Sequence, residues 1–444
     1  MSRPNRTPVS PGSEDRAIPH WHSPDAETLD VTDGDGAYIQ TADGEEYLDF
    51  IAQLYCVNAG HGNERINAAI RDQLDRIAYV SSSKHNDARS ALAGRLAAVA
   101  PVDDASVFFS VSGSEANEAA MQLARSYQDA PKVLTRWRSY HGGTYGAASL
   151  TGDPSTRATV ERYAATSGTA RFMPPLPECF DADAPEALAD QAADHLEWVI
   201  RNEGPDSIAA LLTEPIGGTS GAYPAPPGYF ERVRELCDEY DILLVADEVI
   251  TGFGRCGDWF GIGTEGVRPD MITFAKGVTS AYVPLAGVVA NGALSDHFRE
   301  EGIAVGQTFA GHPLGCAAGL AAMDEYEDGL IDNVRELAPL LEDRLRELEA
   351  EHDAVADVHG RGFHWGVEFR DPATGEPFVD PMVENGDEDN PVAETREYAR
   401  EHGVLFGGGR PDIQNIISPP LCVDESDIDR AVSVLDNAIG ATFE

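Results

Sequence analysis

The sequence nearly avoids lysine: Lys84, Lys132 and Lys276 are its only three, although Lys and Arg together number 32. Almost every cation is therefore an arginine. No apolar run approaches the roughly 18 residues that a membrane span requires, and the N-terminus, MSRPNRTPVSPGSED, carries no apolar signal core. A soluble cytoplasmic protein is expected. The six cysteines, Cys56, Cys179, Cys237, Cys256, Cys316 and Cys422, show no C-x-x-C spacing. Neither a zinc site nor a disulfide framework is suggested by that pattern, and reduced, mostly buried thiols are expected.

Positive charge is scarce as well: 76 acidic residues face 32 basic ones, for a formal charge of −44. Nucleic acid and anionic membrane surfaces both need basic patches, so neither is expected as a main partner. The acids are spread along the whole chain, as in a solvated acidic shell. Such a shell repels itself in dilute buffer but is screened in molar salt, where the Debye length is about 3 Å. The cytoplasm of a halophile fits that balance.

What is present begins with length: 444 residues suggest two or three structural units at about 100–200 residues each. Residues 1–18 are polar and rich in Pro and Ser, and read as a mobile arm. Residues 19–64 contain GDGAYIQTADGEEYLDF, alternating residues broken by Asp-Gly turns, which predicts a small hairpin. Over 65–324, helical periods alternate with the apolar runs VFFSV (107–111), KVLTR (132–136), IAALLTEP (208–215), ILLVADE (242–248) and MITFA (271–275). These predict a βαβ series with a mostly parallel sheet covered on both faces. Over 325–444 a charged helix with Val334, Leu337, Leu341, Leu345 and Leu348 precedes the strand-like HWGVEF, a second, α+β unit. Pro339 should end or kink that helix, and VENGDEDN (383–390) reads as an exposed loop.

Three features carry chemistry. VSGSEANEAAMQLARSY (111–127) places a Gly between two serines at a helix start, which offers free N–H groups, hydroxyls and the positive end of the dipole to a phosphate; ordinary capping is the alternative. In LLVADEVITGFGR, Asp247 and Glu248 end an apolar strand and should face the crevice beyond its carboxyl end, where open α/β sheets bind ligands. An acid there can pair a cationic ring nitrogen, hold a metal or cap a turn. In PDMITFAKGVTSAY, Lys276 follows the next strand and should reach the same crevice. Its neutral amine is a nucleophile toward aldehydes, a role arginine cannot fill because its guanidinium stays protonated; a solvated charge is the bland alternative.

Phosphate site, acid and amine together match pyridoxal 5′-phosphate (PLP). LLVADEVITGFGR followed by PDMITFAKGVTSAY resembles the cofactor-attachment signature of the class III aminotransferases. The resemblance runs through YCVNAGHG, SGSEANEAA, YHGGTYGA, EPIGG, QTFAGHP and NIISPPL in family order. It implies an α/β fold, the PLP-dependent transferase fold type I, with a large domain around a mostly parallel sheet and a smaller α+β domain. By the same resemblance Lys276 attaches the cofactor, Asp247 bonds its pyridine nitrogen, Gly113 and Ser114 hold its phosphate, and Tyr140 and Val249 cover the two ring faces. Glu214 sits on the Asp247 side, and Thr308 reaches the phosphate of a neighbouring subunit. An obligate homodimer with shared sites follows, with pairing into tetramers left open. For His141, packing and hydrogen bonding within its own loop is a simpler reading than proton transfer.

Tyr55 stands where the ω-amino-acid:pyruvate branch carries a tryptophan, and Tyr55, Tyr140 and Tyr282 together suggest an aromatic-lined small pocket. Arg410, in FGGGRPDIQNIISPPL, lies where relatives place a mobile arginine for substrate carboxylates, and the three glycines before it would give it freedom to swing. The expected reaction is transfer of an amino group from an ω-amino acid or primary amine to a keto acid, pyruvate first. A class III racemase, aminomutase or decarboxylase is the competing enzyme reading, and a non-catalytic PLP- or metabolite-binding protein the competing non-enzyme one.

Overall fold

The computed structural model describes residues 20, 28–162, 168–380 and 390–443. The predicted arm and residues 383–389 of the acidic insert lie outside the described residues. Asn390, the last residue of that insert, is buried, and its side chain caps the helix Pro391–Glu401 by accepting from the Val392 N–H.

Strands β1 (Val31–Asp35), β2 (Tyr38–Thr41) and β3 (Glu46–Asp49) make an antiparallel meander whose tight connections are the Asp-Gly turns. The central sheet takes β4 (Ser106–Ser110), β5 (Lys132–Arg136), β6 (Thr169–Phe172), β7 (Ile208–Thr213), β8 (Leu243–Asp247), β9 (Met271–Phe274) and β10 (Ala286–Ala290). Its seven strands lie in the order β4-β10-β9-β8-β7-β5-β6. Pairing is parallel from β6 to β9, and only β10 runs against its neighbours β4 and β9. A third region pairs β11 (Val355–Arg361) and β12 (His364–Phe369). Further on come β13 (Val404–Leu405), β14 (Gly407–Gly408) and β15 (Gln414–Ile417). Here β11-β12-β15-β14 form an antiparallel sheet, whereas β13 leaves it to pair in parallel with β3.

The buried strands alternate between two cores. Leu243, Val245 and Met271 pack on one face with Ala120 and Leu123 of the helix Gly113–Gln128, while Leu244, Ala246, Ile272 and Phe274 pack on the other with Phe253, Phe260 and Val278. This period of two decides where β8 sends its terminal acids. Asp247 continues the helix-side parity. Glu248 is sent to the opposite side.

Of the two outcomes expected at Pro339, an end to the helix is not found: Pro339 lies inside Ile331–Glu351. Proline removes the bond to the Arg335 carbonyl, but Leu341, Leu345 and Leu348 remain buried beyond it and hold the last turns in place. All six cysteines are free thiols, with Cys237, Cys256 and Cys316 buried. Among the described residues no helix is long and apolar enough to cross a membrane.

Candidate active site

The carboxyl ends of β8 and β9 open into a cavity of about 230 Å³. Asp247 and Lys276 both line it, as do Gly113, Ser114, Tyr140 and Glu214. Val249, Tyr55, His141 and Arg410 complete the wall among the residues the sequence singled out.

Lys276 follows β9 in a left-handed conformation, φ 45°, at the head of a single 3₁₀ turn, Lys276–Thr279. The next residue must be glycine on steric grounds: a Cβ at Gly277 would stand 2.7 Å from Asn58 Nδ2 and 3.0 Å from Phe253 Cβ. Burial draws the amine down to about 8, against the opposing pull of Cys56, Asp247 and Glu214. Its Nζ lies 5.1 Å from the centre of the Tyr55 ring. Because the folded amine titrates near 8, its neutral, nucleophilic fraction grows about tenfold per pH unit below that value and then saturates. Attachment of an aldehyde to the cofactor-free protein is therefore expected to accelerate about tenfold from pH 6 to pH 7 and to level off above pH 8. Stopped-flow absorbance measures this, and a rate still climbing tenfold per unit at pH 9.5 would contradict the lowered value.

Asp247 is held from three directions. Its Oδ2 accepts from Asn117 Nδ2 at 2.8 Å and from His141 Nδ1 at 2.7 Å, and its Oδ1 accepts from the Val249 N–H at 3.1 Å. A carboxylate is acceptor-only, so His141 must carry its proton on Nδ1. The bland reading of His141 is thereby corrected: its backbone N–H bonds Thr151 within the loop, but its ring crosses to the β8 acid. Asn117 is in turn fixed by Thr273, whose hydroxyl donates to Asn117 Oδ1 at 2.7 Å. Sequence reasoning missed Asn117. The available signal was a lone amide beside the buried alanine face Ala116, Ala119 and Ala120.

Glu214 Oε2 accepts from Arg136 at 2.9 Å and its Oε1 from the Gly218 N–H at 3.2 Å. Burial pushes its carboxyl up, and Arg136 opposes that. Glu248, expected in the crevice, is instead turned away from it. Its oxygens accept from the Gly261 and Ile262 N–H groups at 2.8 and 2.6 Å, at the start of the turn Gly261–Glu265, and burial pushes it up to about 7.

The helix Gly113–Gln128 aims its N-terminus at the cavity, capped by Ser112, whose Oγ accepts from the Glu115 N–H at 3.3 Å. First-turn N–H groups have no carbonyl four residues back to bond, so those of Gly113 and Ser114 stay open to an anion. A Cβ at Gly113 would come within 3.2 Å of Val249 Cγ2, so a side chain at that first position would press on the Val249 wall.

Two expectations change, those for Tyr282 and for the glycines before Arg410, whereas the Thr308 expectation concerns a neighbouring subunit. Tyr282 does not line the cavity; its hydroxyl donates to the Gly60 carbonyl at 2.9 Å and accepts from the Asn63 N–H at 2.6 Å, tying the N-terminal segment down. Thr308 lies outside this cavity on an exposed segment, its carbonyl accepting from Tyr79 Oη at 3.0 Å. The glycines before Arg410 serve close packing more than swing. A Cβ at Gly407 would meet Ile51 Cδ1 at 2.5 Å and one at Gly409 would meet Gln414 Nε2 at 2.1 Å, and none of the three has a positive φ.

An amine and a carboxylate facing one cavity at the strand ends of an α/β sheet, with an anion-ready helix N-terminus beside them, define an enzyme built around a phosphorylated aldehyde cofactor. The sequence model of the class III aminotransferases matches residues 21–439, and the chain belongs to that family, whose members are PLP-dependent enzymes of fold type I. It is 37% identical over 428 residues to a probable aminotransferase of Mycobacterium tuberculosis, covering 93% of this chain and 90% of that one. It is 34% identical over 432 residues to the diaminobutyrate–2-oxoglutarate transaminase of Halomonas elongata, covering 92% and 89%. Among solved structures, the taurine:2-oxoglutarate aminotransferase of Bifidobacterium kashiwanohense, in complex with PLP and glutamate, superposes with a TM-score of 0.90 at 33% identity, covering 96% and 95%. The residues present fit PLP: open N–H groups for phosphate, a fixed carboxylate for a cationic ring nitrogen, and an amine drawn toward neutrality for the aldehyde.

Proposed function

We propose that the enzyme moves an amino group from an ω-amino acid or primary amine to a keto acid, pyruvate first, with Lys276 and Asp247 as its catalytic pair. The observation that carries the reading is their shared cavity, in which Asp247 is oriented by Asn117, His141 and the Val249 N–H. PLP supplies, when bound, an aldehyde for amine exchange and a ring that draws electron density from the substrate Cα. Toward it, Gly113 and Ser114 present the helix N-terminus to phosphate, Tyr140 and Val249 present the two walls for the ring, and Asp247, with Glu214 beside it, presents a carboxylate to the ring nitrogen. Lys276 Nζ acts twice. It would hold the cofactor as a nucleophile, and as a free amine it would take up the proton leaving the substrate Cα as a base.

Among the described residues lining the cavity, Arg410 is the single guanidinium. One guanidinium matches one carboxylate, which supports pyruvate. Tyr55, set edge-on to His364 at 5.8 Å between ring centres, supports a short substrate on that side. The second reading is 2-oxoglutarate as acceptor, favoured by the acceptor named for the Halomonas and Bifidobacterium relatives. A panel of donors against both keto acids, run across a salt series because of the −44 charge, tests this. Pyruvate is expected to reconvert the amine-loaded enzyme at least about tenfold faster than 2-oxoglutarate, and good turnover with 2-oxoglutarate alone would overturn the pyruvate assignment.

For Thr308 we propose the partner-facing role. Its segment carries Phe309, 57% exposed, beside Tyr79, 41% exposed, an apolar face that suits a second copy of the chain. Sedimentation analysis showing a stable, active monomer would remove that role.

A further inference from the structure

Arg410 stands in the wall between the inner cavity and a larger outer one of about 700 Å³, which Trp137, Asp153, Met173 and Pro411 help to line. Its backbone N–H is anchored to the Thr219 carbonyl at 2.8 Å. The side chain beyond is about one third exposed. Two groups hold its guanidinium: the Tyr140 ring, 5.7 Å from its carbon, and Asp153 Oδ2, 3.5 Å from Nη1.

Asp153 is the rigid member of that pair, with its side chain only 4% exposed. Its N–H donates to the Ser139 carbonyl at 3.1 Å, next to Tyr140 in the chain. Its Oδ2 accepts from the Thr156 N–H at 3.3 Å and from the Thr156 hydroxyl at 2.5 Å, capping the helix Pro154–Glu161. A fixed carboxylate therefore faces a partly exposed guanidinium in the wall shared by the two cavities, and the oxygen it offers is also shared with the Thr156 N–H and hydroxyl.

We propose that Asp153 is a positioning residue that restrains Arg410, so that a substrate carboxylate reaches the guanidinium only by displacing Asp153. This rests on the reading of Arg410 as the carboxylate-binding residue. The restraint lowers affinity for every carboxylate substrate by the fraction of time Arg410 is free, and leaves a carboxylate-free amine untouched. If Arg410 is free for about 10–30% of the time, apparent affinity is reduced about three- to tenfold.

The test uses half-reactions of the holoenzyme. Asp153→Asn removes the charge and keeps an oxygen for the helix cap, and Asp153→Ser does the same with a different side chain. Both are expected to lower the half-saturating pyruvate concentration of the amine-loaded enzyme about three- to tenfold. Half-saturation by a primary amine without a carboxylate should shift less than twofold. An unchanged or raised value for pyruvate in both variants would overturn the restraint while leaving the Arg410 reading intact. In an Arg410→Gln background, Asp153→Asn should produce no further fall; an equal fall there would overturn it, since the effect would not run through Arg410. If Arg410→Gln alone left pyruvate saturation at the wild-type value, both readings would fall together.

Discussion

Lys276→Ala is expected to hold the cofactor without attaching it, losing the visible absorbance of the attached form and nearly all turnover. No other amine can substitute. Lys132 is bonded to Glu203 Oε2 at 2.8 Å, Lys84 is exposed, and neither lines the cavity. Positioned proton transfer alone is worth about 10²–10⁴ in rate, and the loss of the nucleophile adds to that. A spectrophotometric titration with PLP, followed by single-turnover assays with an amine donor, measures both effects. A fully active variant would remove the mechanism.

Asp247→Asn should leave attachment at Lys276 in place and cut turnover by about 10²–10³, the range for deleting one electrostatic contact to a reacting group. The amide is a poor replacement for a structural reason as well. Oδ2 accepts from two donors and Oδ1 from a third, so whichever oxygen becomes NH₂ confronts at least one N–H. Losing a buried hydrogen bond in this way costs about 1–3 kcal/mol, visible as a lower melting temperature of the cofactor-free protein. The two variants thus separate spectrally: one loses the attached cofactor's absorbance, the other keeps it and loses the chemistry. Wild-type turnover and cofactor affinity in Asp247→Asn would refute the assignment.

The strands were legible because a sheet covered on both faces buries whole short runs, so VFFSV, IAALLTEP and MITFA stand out as contiguous apolar segments. The crevice was legible for the same reason, since Asp247 and Lys276 each follow such a run. The side to which each acid turns was harder to see. Asp247 and Glu248 are adjacent and alike in sequence, and only the two-core packing of β8 separates them. His141 was misread because its bond to Asp247 joins a loop after β5 to the end of β8, a separation of 106 positions with no local signature. The glycines at 407–409 invite a reading through backbone freedom, whereas side chains crowd them from both a distant segment, Ile51, and the following strand, Gln414. Tyr282 was placed by proximity in sequence to Lys276, but the sharp turn through Ser280 and Ala281, both at positive φ, points it at the Gly60–Asn63 loop instead.

The cavity wall is drawn from two sources, and this has an evolutionary consequence. Gly113, Ser114, Asp247 and Lys276 all stand at strand ends or on the helix packed against one sheet. Leu54, Tyr55 and Arg410 arrive from segments outside that sheet, on either side of it in the chain. With the roles proposed above, reactivity and selectivity would be encoded in separate stretches of sequence. On that proposal, drift in the outlying segments would change which amine is welcome while the residues at the sheet's edge stay untouched, a division of labour that would let one scaffold diversify its diet without relearning its chemistry.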